Sequence, residues 1–240
     1  MKFKLIICQI FLALGSTSST YGQVNSYSAD VSSKIEKVEN SLMNWVQTPD
    51  SLLRWNIEER MISHKVNGVS IAVIHNFKID WAKGYGWADV DEKRKVTPHT
   101  LFQAASISKS ISAIGILKLV EDKRIDIDND INQYLCSWKF PYDSLTKNKK
   151  ITVRNLLNHS AGLSVSGFPG YFFTDSVPTI LQILDGKSPS KTPAVKSQFE
   201  PGLRYKYSGG GICITQLIMK DVTNQSFEKY MKNSHPAFQV

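Results

Sequence analysis

The chain has 240 residues, 42% of them apolar, and a net charge of +8. That suffices for one substantial domain and excludes a disordered or low-complexity protein. The basic excess is scattered, with Lys147-Asn-Lys-Lys150 its one cluster, so it reads as a solvated loop and argues against nucleic acid as a partner.

In chain order, Lys2 and Lys4 precede an apolar run from Leu5 to Leu14, followed by the small polar stretch Gly15 to Gly22. This pattern predicts a signal peptide over 1–22, cleaved before Gln23, with the mature domain over 23–240. A run of ten residues, nine of them apolar, is too short to span a bilayer, so no transmembrane anchor is expected after cleavage and the destination is periplasmic or secreted. Cys8 lies inside the apolar run, which argues against a lipid-anchored cysteine. The mature part keeps Cys136 and Cys213, which an oxidising compartment would allow to pair and whose spacing requires nothing.

Apolar residues recurring every three or four positions predict helices over Val31–Val46 and Ser51–Ser63. Val69–Ile74 reads as a strand, His75–Lys78 as a turn and Ile79–Trp87 as a second strand, together an antiparallel hairpin. An apolar run containing Ile111, Ile114, Leu117, Leu119 and Val120 follows Ser106 and predicts a buried helix. Further helices are expected around Leu156-Leu157, over Ile180–Leu184 and over Ile212–Met219, with Gly/Pro loops at 162–170 and 186–193. A last one follows Ser226, with Phe227, Tyr230 and Met231 facing inward.

The chemistry concentrates at Ser106-Ile-Ser-Lys109, where a hydroxyl and an amine share one helical face, the spacing of a lysine-activated serine nucleophile. Ser-x-x-Lys occurs four times, at Ser106, Ser144, Ser188 and Ser226. Ser144 lies in a polar stretch, Ser188 precedes a proline, and Ser226 reads as a helix cap. Only Ser106 stands at the start of a strongly apolar helix, whose dipole favours an oxyanion. A plain N-cap serine with a solvated lysine one turn on is the competing reading. Tyr207-Ser208-Gly209 follows the turn residues Pro201-Gly202 and precedes Gly210-Gly211, so Tyr207 is presented on a loop where backbone comes close to something. A tyrosine beside a lysine can pass a proton when its pKa is depressed; viewed alone, it reads as a core aromatic.

Taken in order, Ser106-Ile-Ser-Lys109, Arg124 to Leu135, Ile151 to Leu163, Phe199-Glu-Pro-Gly202 and Tyr207-Ser208-Gly209 resemble the serine β-lactamase-like superfamily, in the branch of class C β-lactamases, D-alanyl-D-alanine carboxypeptidases and related serine esterases. The resemblance implies an α/β (α+β) fold of the β-lactamase/transpeptidase type, an antiparallel sheet flanked by helices with a helical region inserted after the nucleophile. It implies Ser106 as the acylated nucleophile, Lys109 as the group that accepts or stabilises its proton and Tyr207 as the relay to the leaving group. The Ser106 N–H would be one oxyanion donor and a sheet edge would supply the other. A buried Lys109 would act near neutral pH. The substrate would be a small molecule or peptide carrying an ester, a D-amino-acid amide or a β-lactam, with no cofactor and no metal.

Two departures stand out. Gly209, at a substrate-binding position, replaces the Asn of the family's Tyr-x-Asn motif. The third motif, Lys-Thr-Gly or His-x-Gly, is absent from the sequence. The resemblance places the C-terminal sheet strands and the second oxyanion donor beyond Val240, which predicts an incomplete sheet, low stability and, as the alternative function, an inactive truncated fragment or non-catalytic binding module. Other chemistries fit less well. The Gly-x-Ser-x-Gly elbow is missing, and His64, His75, His99, His159 and His235 show no metal-ligand spacing. His159 reads as a cap or packing residue at a helix end.

Overall fold

The computed structural model describes residues 27–47 and 54–234; the expected signal peptide and His235 lie outside them. The described residues up to Phe102 form one compact unit and those from Gln103 a second.

In the first unit, α1 (Ala29–Glu39) starts at Ser28, whose hydroxyl accepts the Val31 N–H at 3.3 Å. The helix expected to reach Val46 stops at Asn40, whose side-chain amide donates back to the Glu36 carbonyl at 2.9 Å. Leu42–Met43 (β1) then pairs antiparallel with Arg54–Trp55 (β2), Leu42 facing Trp55. The ladder takes apolar residues that would have continued the helical period. The next helix, α2 (Ile57–Ser63), is capped by Asn56; of the helix expected from Ser51, residues 51–53 lie outside the described residues and Arg54–Trp55 is strand. The Asn56 side chain accepts from Glu58 N while Glu59 accepts from Asn56 N, a capping box that fixes the start.

The hairpin forms as expected from β3 (Gly68–His75) and β4 (Lys78–Asp89), with Ala72 opposite Ala82 and a register shift between Val73 and Ile74. A short strand, β5 (Arg94–Lys95), pairs with β4, so the sheet order is β3-β4-β5, all antiparallel. Trp81 and Tyr85 are buried from β4, and Tyr85 clusters with Ile57 and Met61 of α2. Lys83 pairs with Glu39 at 2.5 Å, tying the sheet to α1.

The second unit is built of α3 (Ile107–Glu121), α4 (Val153–Leu157), α5 (Ile180–Asp185), α6 (Gly209–Thr223) and α7 (Phe227–Ser234). Its core joins Ile116 and Leu119 of α3 to Leu156, Leu184, Ile214, Leu217 and Ile218, all fully or almost fully buried. Each such side chain contributes about 1.5–3 kcal/mol relative to exposure. Ser226 caps α7, accepting the Lys229 N–H at 3.2 Å, and Tyr230 donates to the Gly115 carbonyl at 2.8 Å. A Cβ on Gly115 would lie 2.5 Å from Met231 Sδ, so glycine is what lets α7 lie close on α3. The expectation that α3 is buried holds on one side only: Ser112, Gly115, Ile116 and Leu119 are covered, whereas Ile107, Ile111, Ile114 and Leu117 are exposed. Apolar residues are spread around the helix and polar ones interrupt every side, so sequence periodicity cannot tell its covered side from its open one. Among the described residues no helix is long and apolar enough to cross a membrane.

Candidate active site

Ser106 lies at the N-cap of α3 in helical backbone (φ −71°, ψ −12°) and makes no side-chain cap bond. Its hydroxyl is therefore free for other partners, which sets aside the plain N-cap reading. Lys109 Nζ stands 3.2 Å from Ser106 Oγ, and the Tyr207 phenol donates to the same oxygen at 2.9 Å. Lys109 Nζ also lies 5.1 Å from the centroid of the Tyr207 ring. The three side chains named from the sequence thus meet at one oxygen. Ser106 is exposed and Lys109 and Tyr207 are half-buried, so the expectation of a buried Lys109 is not met.

The electrostatics act on the phenol. The Lys109 ammonium beside it, and then the Ser106 hydroxyl, hold Tyr207 below the ordinary tyrosine value, because both stabilise the phenolate.

Backbone geometry presents Ser106. Ala105 has φ +44°, in the left-handed region that costs a non-glycine residue roughly 1–2 kcal/mol. Tight turns follow at once: Ile107 N bonds Ala104 O at 3.0 Å and Ser108 N bonds Ala105 O at 3.2 Å. The kink and Ser106 are adjacent, as at many sites where strain is retained for function.

Tyr207 is held by a residue that sequence reasoning assigned to packing. His159 follows α4 with φ +59°, and it grips the chain on both sides of Tyr207. Its carbonyl accepts Lys206 N at 2.7 Å and its Nδ1 accepts Ser208 N at 3.3 Å. Its ring lies 4.5 Å from that of Tyr207, centroid to centroid, tilted by 42°. Burial, and then the Lys109 charge, push the imidazole below its ordinary value, which keeps Nδ1 free to accept. His159 does pack at a helix end, but what it packs is Tyr207.

The triple glycine after Ser208 has a local explanation. Ser208 caps α6, accepting Gly211 N at 2.9 Å while donating to Ser164 O at 2.8 Å. The N–H groups of Gly209 and Gly210 go to the carbonyls of Ser166 and Val165 at 3.1 and 3.0 Å. The close approach expected at these glycines is thus made by the chain's own 164–168 loop, and the donors that could have cradled an anion are taken. A Cβ on Gly209 would meet both Phe168 Cε2 and Ser166 O at 3.1 Å, tighter than ordinary contact.

Cys136 and Cys213 are both free thiols, and burial pushes that of Cys213 up to about 11. Among the described residues no group of three His, Cys, Asp or Glu side chains is placed to hold a metal ion.

A helical unit carrying a Ser-x-x-Lys helix, with a loop tyrosine on the serine and an antiparallel sheet earlier in the chain, defines the β-lactamase/transpeptidase-like class of fold. The chain belongs to the beta-lactamase family, whose model matches residues 53–234. It is 30% identical over 181 residues to Protein flp of Staphylococcus aureus strain N315, an alignment that takes in 74% of this chain and 34% of that protein. The chain thus spans about a third of the length of that relative. Among solved structures it is similar to the octameric penicillin-binding protein homologue from Pyrococcus abyssi, with 28% identity, TM-score 0.59 and coverage of 73% of this chain and 40% of that one. It is also similar to the D-amino acid amidase from Ochrobactrum anthropi SV3, with 26% identity, TM-score 0.58 and coverage of 72% and 45%. These likenesses put the chain in the serine hydrolase superfamily of this fold.

Proposed function

We propose that Ser106 is the nucleophile of an acyl-enzyme hydrolase acting on an ester, amide or β-lactam bond. The observation that carries this reading is the convergence of Lys109 Nζ and Tyr207 Oη on Ser106 Oγ. Tyr207, held below the ordinary tyrosine value, takes the serine proton as Oγ attacks the carbonyl carbon, and delivers it to the leaving group as that bond breaks. Lys109 stays beside both oxygens and stabilises the charge that forms on each. The Ser106 N–H, which has no acceptor among the described residues, is one donor for the carbonyl oxygen. Water then releases the acid and frees Ser106.

Relatives named as a penicillin-binding protein homologue and a D-amino acid amidase support D-amino-acid amides and β-lactams as substrate classes alongside esters. The export signal over 1–22 belongs to the same reading, since it would place the site where external amides and esters are met. The test is the intact mass of the protein after exposure to a fluorophosphonate and, separately, to a penicillin. One adduct of either kind, lost in Ser106→Ala, is expected. No adduct on a chain that melts cooperatively would overturn the hydrolase reading and leave a binding role.

A further inference from the structure

Beside the candidate nucleophile a cavity of about 240 Å³ opens between α3 and α6. Ala105, Lys109 and Gly209 bring it up to the Ser106 and Tyr207 positions, and Phe168, Ile212, Cys213 and Phe227 line it further in. We propose that this cavity is the acyl-group subsite, that it takes a short apolar chain, and that the Phe168–Gly209 pair sets its selectivity. The proposal rests on the reading of Ser106 as the nucleophile.

Three observations carry it. The cavity touches Ala105 and Lys109, on either side of Ser106 in the chain, so an acyl group on Ser106 Oγ has a place to enter next to its point of attachment. The side chains that line it beyond Lys109 are mainly apolar, with Ser108, Ser112 and Gln216 among them, and Ser112 already spends its hydroxyl on Ser108 O at 2.8 Å. A chain that lacks hydrogen-bonding groups matches the Phe168, Ile212, Cys213 and Phe227 part of this lining, whereas a polar group would have to reach Ser108 or Gln216 to be paired. Finally, the Phe168 ring stands where a side chain at position 209 would begin, 3.1 Å from the Cβ site. Where the family motif carries an asparagine, this chain has an aromatic wall brought in from the neighbouring loop. Glycine at 209 and phenylalanine at 168 are therefore one feature: an apolar face in place of a carboxamide.

Size sets the other limit. The volume is below the ~300–1,000 Å³ of pockets that enclose drug-sized ligands. At about 30 Å³ for a water-sized group it admits on the order of eight carbon-sized groups. Acyl groups of about four to eight carbons fit, and longer ones project into solvent.

The experiment is the rate of Ser106 labelling by alkyl fluorophosphonates with methyl, hexyl and dodecyl groups on phosphorus, followed by intact mass. Each labelling forms an Oγ–P bond and breaks the P–F bond, and the serine proton leaves with fluoride. With roughly fourfold per buried methylene as the ceiling, hexyl is expected to react at least about tenfold faster than methyl, and dodecyl no faster than hexyl. Phe168→Ala should raise the dodecyl rate relative to hexyl, and Phe168→Trp should erase the hexyl advantage. Gly209→Asn should slow labelling more in the native background than beside Phe168→Ala. Labelling at rates indifferent to chain length, or a profile unmoved by both Phe168 variants, would overturn the subsite and leave Ser106 as nucleophile. Absence of any adduct would overturn the nucleophile and the subsite with it.

Discussion

The Tyr207 phenol reaches the Ser106 hydroxyl at 2.9 Å across 101 positions of chain, and that oxygen also lies 3.2 Å from Lys109 Nζ. If Tyr207 is the proton acceptor, Tyr207→Phe should lower the rate of Ser106 labelling by a fluorophosphonate about 10²- to 10⁴-fold without unfolding the chain. Because its phenol is held below the ordinary tyrosine value, the labelling rate should fall as pH drops through that lowered pKa. Lys109→Gln should move this titration upward, since the charge that favours the phenolate is gone. An unchanged pH profile in Tyr207→Phe would remove Tyr207 from the proton path.

His159 holds the residues on both sides of Tyr207, so its loss should act at a distance on Ser106. His159→Ala is expected to cost about 1 kcal/mol of stability and to slow labelling by roughly tenfold, about 1.4 kcal/mol of barrier. His159→Asn keeps an acceptor and tolerates the left-handed backbone, and should recover most of both. Protonation of His159 is disfavoured in the folded state. Its contribution is therefore full above about pH 6.5, the ordinary histidine value, and is lost as pH falls from there through the lowered folded value. The difference in urea midpoint between wild type and His159→Asn, measured against pH, should shrink over that window. A constant difference would mean that Nδ1 does not depend on being unprotonated.

Ala105 stores strain next to Ser106. Ala105→Gly should raise the free energy of unfolding in urea by up to about 1 kcal/mol, the relief of a left-handed alanine less the added freedom of the unfolded chain. Labelling of Ser106 should slow at the same time, because the kink is no longer enforced. A loss of stability of about 0.5–1 kcal/mol, as for glycine in ordinary helical backbone, would show that position 105 is not strained.

Asp221 on α6 accepts the N–H groups of Cys136 and Ser137 at 2.7 and 2.9 Å and the Ser137 hydroxyl at 2.8 Å. One carboxylate thus fastens the 136–137 turn to the helix that follows Tyr207. Asp221→Ala should cost about 2–3 kcal/mol by chemical denaturation, as expected for hydrogen bonds to a charged group, with Asp221→Asn costing less. An effect within about 0.5 kcal/mol, typical of a surface change, would show the turn to be held by other contacts.

Elements with an unambiguous local code were legible in the sequence. The β3–β4 hairpin followed from alternation and its turn, and Ser226 as the α7 cap followed from one residue and the apolar positions after it. Where two codes compete, the reading failed. Leu42 fits the helical period of α1 and also a strand, and pairing with Trp55 decides for the strand. The candidate site was legible as far as the three side chains that meet at Ser106 Oγ, because a Ser-x-x-Lys spacing and a glycine-flanked tyrosine are chemical signatures. Its supports were hidden for a physical reason. His159 acts through one carbonyl and one lone pair, Ala105 through a dihedral angle and Phe168 through the volume it fills, and none of these is written in residue type alone. An Asn-His-Ser-Ala-Gly stretch that turns immediately after a short helix was the available sign that position 159 carries an unusual backbone.

The loop that crosses the start of α6 does two separate tasks with two separate sets of atoms. Its carbonyls at Val165 and Ser166 take up helix N–H groups, and any amino acid could provide those carbonyls. Its ring at Phe168 borders the cavity, and only the side chain matters there. Drift at position 168 can therefore alter which molecules enter without disturbing how the helix begins. Insertion or deletion within 164–168 would damage both at once, so new preferences can arise here by point substitution and not by changes of loop length.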